Sequence, residues 1–181
     1  MVKTLIISTG SELLRGHIAD TNGAWMASRL DRYRIAPSKI IVAPDDLNEL
    51  TALIDNALNN YDVTICGGGL GPTTDDLTAT AAARALKVPV VRIKEAEDQI
   101  RQRYKERNRA MPEVNLKQAD LPQGATILEN TVGTAPGFML ERNSSKIFFV
   151  PGPPAEMKYV FTQHIEPFIQ TLKGSIFEKV R

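Results

Sequence analysis

The chain has 181 residues, enough for one domain with a sizeable core. Its 43% apolar and 24% charged residues are ordinary globular composition, and 22 basic against 21 acidic side chains give no reason to expect a nucleic-acid or membrane surface. A single cysteine, Cys66, excludes an intrachain disulfide, and no apolar run nears the ~20 residues of a membrane span or the core of a signal peptide, so a cytoplasmic location is expected.

Val2 to Ser8 reads as a buried strand ending at Thr9-Gly10. Asp20-Thr21-Asn22 supplies helix-capping residues for a helix carrying Trp25, Met26 and Leu30. Lys39 to Ala43 is a second strand. Asp46, with Glu49 three residues on, reads as the start of a helix whose Leu47, Leu50, Leu53, Ile54, Ala57 and Leu58 recur at helical spacing. Val63 to Cys66 is a third strand, followed by a glycine loop and a helix from about Asp75 to Leu86. Repeated strand, loop and helix predict an open, mainly parallel sheet with helices on both faces, a three-layer α/β sandwich. Ligands of such sheets bind beyond the carboxyl ends of the strands.

The second half changes character. Lys94 to Arg109 reads as a charged helix, broken at Met111-Pro112, with a short polar segment at Asn115 to Ala119. Short strands around Thr126–Leu128, Gly137–Leu140 and Lys146–Val150 form a small additional β-containing segment. Pro151-Gly152-Pro153-Pro154 is a stiff turn, Pro154 suits a first helical position, and a terminal helix covers Glu156 to Thr171. One domain is expected over residues 1–173, with 174–181 a tail or truncated linker.

Chemistry concentrates in two places. In Gly67-Gly68-Gly69-Leu70-Gly71-Pro72-Thr73-Thr74-Asp75-Asp76, Gly68, Gly69 and Gly71 let the backbone approach a ligand, and a strand-to-helix turn offers free N–H groups to an anion. Thr73 and Thr74 add hydroxyls. The loop is neither a Walker A nor a Gly-x-Gly-x-x-Gly motif. Asp75 and Asp76 read either as ligands of a divalent cation shared with a phosphate or as helix caps. In the second cluster Glu12 is a candidate metal ligand or base, and Asp20 and Asn22 can bind hydroxyls or cap a helix. Lys117, with Asn115 and Gln118, is a candidate phosphate contact. Gly133 and Thr134 form a second ligand wall or a plain turn. His17 and His164 lie too far apart in sequence for a zinc site and read as incidental.

Five ordered segments carry a resemblance: residues 10–22, 68–78, 115–119, 133–138 and 151–157. Together they resemble the N-terminal domain of the CinA (competence-damage-inducible) family, within the MoaB/MogA-like molybdopterin-binding superfamily, over about residues 3–170. The resemblance implies the three-layer α/β fold and a homo-oligomer, a trimer or a dimer. It also implies a ligand loop ending at Asp76, with an upstream aspartate at Asp46 or Asp45. For CinA-type domains it implies hydrolysis of ADP-ribose to AMP and ribose 5-phosphate with a divalent metal (Mg²⁺, Mn²⁺ or Co²⁺), here on Asp75 and Asp76. Glu12 would orient the water. The other expectations are a molybdopterin-binding protein of molybdenum cofactor biosynthesis and a non-catalytic nucleotide-binding module. Ser11 stands where the family usually has Asp. Full-length CinA proteins continue into a nicotinamide mononucleotide deamidase domain, an activity not carried over to this chain.

Overall fold

The computed structural model describes residues 2–178. Its centre is a six-stranded sheet. The strands are β1 (Thr4–Thr9), β2 (Lys39–Ala43), β3 (Val63–Gly67), β6 (Thr126–Leu128), β7 (Gly137–Arg142) and β8 (Ser145–Val150), in the order β2-β1-β3-β8-β7-β6. The first four positions are parallel; β7 is antiparallel to β8, and β6, antiparallel to β7, returns to the common direction. The expected mainly parallel sheet is therefore present, with an antiparallel edge contributed by the second half. A second sheet, unforeseen, pairs β4 (Val90–Arg92) with β5 (Asp120–Pro122).

Alternation along β1 decides which helices go where. Leu5 and Ile7 point into one core with α3 (Leu47–Asn60), α4 (Thr78–Leu86) and Ile100 of α5 (Lys94–Glu106). Ile6, between them, points into the opposite core. There it meets α2 (Thr21–Arg32) and the terminal helix, comprising α6 (Pro154–Val160), a π turn (Phe161–Ile165) and α7 (Glu166–Glu178). Period-two side chains thus make two apolar layers from one strand. Each fully buried Leu, Ile or Phe contributes about 1.5–3 kcal/mol. Cys66 is fully buried in the first layer and burial pushes its thiol up to about 12, so it is the core residue expected.

Local capping follows the sequence where short side chains find their own helix. The Asp46 carboxylate accepts from the N–H groups of Asn48 and Glu49, both at 2.9 Å, and Asp20 accepts from Gly23 N–H at 2.8 Å. The helix expected from about Asp75 begins instead at Thr78. Asp76 does not cap it. Its carboxylate turns back to accept from the Thr73 N–H (2.9 Å) and hydroxyl (2.7 Å), which closes residues 73–76 into a turn. The terminal helix starts with Pro154 in its first turn, as expected, and runs past Thr171 to Glu178. Residues 179–181 of the expected tail lie outside the described residues.

Candidate functional site

Both polar clusters lie at the carboxyl ends of the parallel strands. The glycine loop leaves β3 between the ends of β1 and β8, and Gly68 N–H donates to Val150 O at 3.0 Å. Two of its glycines have positive φ, +103° at Gly68 and +67° at Gly69, where other residues are strained. A Cβ at Gly68 would lie 2.6 Å from Thr9 Oγ1, and one at Gly69 would collide with Thr78 Oγ1.

Five loop carbonyls, those of Gly67, Gly68, Gly69, Thr73 and Asp76, find donors within the protein. Thr9 Oγ1 donates to Gly67 O at 3.3 Å, Thr78 Oγ1 to Gly68 O at 2.9 Å, and Thr78 N–H to Gly69 O at 3.3 Å. Lys117 Nζ donates to Thr73 O and, at 2.9 Å, to Asp76 O. The N–H groups of Gly69, Leu70 and Gly71, by contrast, have no partner among the described residues. Those three residues line a cavity of about 320 Å³, whose other walls include Asp76, Thr80, Lys117, Gln118 and Leu121. Consecutive free backbone N–H groups beside a lysine make an anion-binding concavity.

On the other side of the glycine loop lies a second cavity of about 200 Å³, lined by Ser8, Glu12, Asp20, Asn22, Gly67, Gly68 and Gly152 among others. Asp20 is fully engaged, accepting from Ser8 Oγ at 2.7 Å and from Gly23 N–H. Asn22 donates to Gly152 O at 2.7 Å. Glu12 folds back over Gly10, its carboxylate carbon 2.9 Å from where a Cβ would stand there.

The candidate residues therefore separate. Gly69, Gly71, Asp76, Lys117 and Gln118 meet at the larger cavity, and Gly68, Glu12, Asp20 and Asn22 at the smaller. Asp46 lines neither and is engaged as a helix cap. Thr73 and Thr74 also line neither. The Thr73 hydroxyl is committed to Asp76. Asn115 is buried and donates to Gln118 Oε1 at 3.3 Å, setting the amide that does reach the cavity. Asp75 is exposed.

Gly133 and Thr134, read as a ligand wall or a plain turn, form a turn whose neighbour Pro136 reaches the larger cavity. Asn130 organises it, accepting from the N–H groups of Val132 and Gly133 and donating to Ala135 O and, at 2.7 Å, to Glu156. Gly133 packs so closely on the Glu156 carboxylate that a Cβ has no room. Burial pushes the Glu156 carboxyl above its usual range, partly offset by the Asn130 hydrogen bond. His164 contacts Glu129 O at 2.9 Å, a structural role.

Three or more His, Cys, Asp or Glu side chains gather nowhere among the described residues as a metal cluster. A cation here would have Asp76, and Asp75 beside it, as protein ligands and would depend on ligand phosphates to complete its shell. Thr9 and Thr78 are not among the candidate site residues, although Thr78 closes the 68–78 segment. Their spacing from the glycines they bond, 58 and 10 residues, does not by itself point to the contact.

The unpartnered backbone N–H groups stand at the carboxyl ends of the parallel strands, the place where open α/β sheets bind their ligands. Residues 5–171 match the family described as "Probable molybdopterin binding domain". The chain belongs to that family and, within it, to the CinA-like proteins. The CinA protein of Thermoplasma acidophilum superposes with a TM-score of 0.83 at 30% identity, covering 92% of this chain and 97% of that one. A CinA-like protein of Shewanella woodyi is 42% identical over 93% of this chain and 40% of its own length. A protein of Pyrobaculum arsenaticum is 40% identical over 97% of this chain and 67% of its own length. The chain thus spans about two fifths of the CinA-like relative's length. The molybdopterin biosynthesis enzyme MoaB of Thermus thermophilus shares the fold, with a TM-score of 0.58 at 14% identity over 96% of this chain and 98% of that one. No helix among the described residues is long and apolar enough to cross a membrane.

Proposed function

We propose that this domain binds a phosphate-bearing, pterin-like molecule of the molybdopterin type in the 320 Å³ cavity between the glycine loop and Lys117. The observation that carries this reading is the run of three unpartnered N–H groups at Gly69, Leu70 and Gly71. They supply donors at fixed positions for phosphate oxygens, and Lys117 supplies positive charge beside them. The apolar parts of Leu70, Ala79, Val90, Leu121 and Pro136 give the remaining wall a flat ring can cover. Family membership supports the pterin class.

Calorimetric titration tests it. A phosphorylated pterin is expected to bind and to be displaced by inorganic phosphate, while the unphosphorylated pterin binds at least tenfold more weakly. Equal affinity for the two pterins would refute the phosphate role of the loop.

A second reading is favoured by one observation: Asp76 shares the cavity with the free N–H groups, and a carboxylate beside a phosphate calls for a cation. On this reading the domain hydrolyses the pyrophosphate of ADP-ribose or a similar nucleotide with a divalent metal. Asp76 and Asp75 would hold the metal, which would neutralise charge and polarise the phosphoryl oxygens. Turnover of ADP-ribose with Mg²⁺, Mn²⁺ or Co²⁺, lost by orders of magnitude in a folded Asp76→Asn variant, would establish it. Wild-type-like turnover of that variant would remove Asp76 from the chemistry. A homo-oligomer, trimer or dimer, is proposed for the assembly, and a mass near the 20.0 kDa of one chain in light scattering would overturn it.

A further inference from the structure

We infer that Thr78 is a positioning residue for the anion site, its buried hydroxyl and N–H together setting the direction in which the free donors of the glycine loop point. The inference rests on the anion-binding reading above. Thr78 is the first residue of α4 and is fully buried. It takes two successive carbonyls of the loop: Oγ1 donates to Gly68 O at 2.9 Å and N–H to Gly69 O at 3.3 Å.

The peptide unit makes this consequential. In a trans peptide the carbonyl of one residue and the N–H of the next lie in one plane and point in opposite directions. The peptide bonds described here include no cis bond. Fixing Gly68 O therefore fixes the N–H of Gly69 on the far side, and fixing Gly69 O fixes the N–H of Leu70. These are two of the three donors that have no partner among the described residues, and the residues that carry them line the cavity. Thr9 repeats the device one peptide earlier: its hydroxyl donates to Gly67 O, and the N–H of Gly68, on the opposite side, reaches Val150 O. The two hydroxyls also occupy the space over Gly68 and Gly69 that a side chain would need. Two glycines at positive φ, free to turn either way in an open loop, are thereby held in one orientation with carbonyls in and donors out. A loop reversed by one peptide would present a carbonyl oxygen to the phosphate and repel it.

The test compares Thr78→Val, which keeps shape and N–H but removes the hydroxyl, with Thr78→Ser, which keeps the hydroxyl. The probe is inorganic phosphate, titrated by calorimetry and by amide NMR. Thr78→Val is expected to weaken phosphate binding about tenfold, the worth of roughly one hydrogen bond, while Thr78→Ser stays within about threefold of wild type. In the wild type the amide protons of Gly69 and Leu70 are expected to shift most. Unchanged phosphate affinity in a folded Thr78→Val variant overturns the inference and leaves the proposed function standing. If Thr78→Val does not fold, the wild-type titration decides alone: phosphate binding with Gly69 and Leu70 unmoved overturns it. A wild type that binds no phosphate overturns the anion-binding reading and this inference with it.

Discussion

The two cavities flanking the glycine loop are built from neighbouring residues, and each is lined by two carboxylates, Asp76 and Asp120 on one side and Glu12 and Asp20 on the other; they differ in that a lysine joins the first. On the Gly69–Gly71 side the backbone shows donors and Lys117 adds a cation, while Asp76 is engaged with Thr73. On the Gly67–Gly68 side Glu12 and Asp20 supply carboxylates, and no lysine or arginine lines the wall. On the proposed function, one loop thus separates an anion site from a side without a cation. The difference comes from Lys117 and from the free N–H groups of Gly69 to Gly71, and not from any difference in charge along the loop.

The sharpest way to break this contrast is Gly69→Ala. The added methyl meets a positive φ and the Thr78 hydroxyl at once, a cost of about 1–3 kcal/mol. At about 2–4 °C per kcal/mol, Tm should fall by roughly 2–12 °C, and inorganic phosphate binding should be lost. A melt and a calorimetric titration check both, and retained binding would show that the loop tolerates another course. Lys117→Ala should weaken phosphate by about ten- to a hundredfold, since a hydrogen bond to a charged group is worth about 1.5–3 kcal/mol. An unchanged affinity would confine the lysine to holding the Thr73 and Asp76 carbonyls.

The acid side has a pH signature through α6, whose Pro154 lines the smaller cavity and whose Glu156 is half-buried. A carboxyl raised by burial favours the folded state while protonated, so its contribution is complete below the ordinary glutamate pKa and lost as pH rises through the raised value. Glu156→Gln should therefore melt above the wild type near neutrality, with the gap closing as pH falls through the raised value and closed below about 4.3. A gap independent of pH would mean the Asn130 contact, not the charge, dominates. The smallest expected effect sharpens the comparison: Glu12→Gln should strengthen phosphate binding by about twofold if the two sides sense each other through the loop. No change would show them to be electrically independent.

Much of this was legible in the sequence. The layers could be read from Leu5, Ile6 and Ile7, whose alternation needs two covered faces, and the start of α3 from Asp46, whose cap is local. Position beyond the strand ends followed from the repeat of strand and helix. What could not be read was which polar side chain spends itself inside the protein. Asp76 reads as a metal ligand or a cap; the cap is absent, because Thr73 and Lys117 hold a turn there and delay the helix to Thr78. Gly133 reads as a ligand wall or a turn, and the Glu156 carboxylate fills its space from a helix more than twenty residues on. Lys117 and Glu156 are distant in sequence from the residues they hold, and spacing gives no signal for them, while the Thr73–Asp76 turn is local and competes with a cap at the same spacing. The β4–β5 pair was missed for a plainer reason: three residues each are too short to show alternation.

The π turn at Phe161–Ile165 sets a phase for the terminal helix. Met157, Phe161, Ile165 and Ile169 are fully buried at strict four-residue intervals. At ~100° per residue a plain α-helix would carry such a row about 120° around its axis over twelve residues. The wider turn absorbs part of that drift and keeps the row on the sheet. The helix is thus a screw of two pitches, and its reading frame counts. Removing one residue between 161 and 165 would leave eleven steps from Met157 to Ile169, about 20° past three full turns at ~100° each, so a plain α-helix one residue shorter keeps both halves on the sheet. Relatives that keep both halves seated should therefore align here either without a gap or with a gap of one residue, and with no other length.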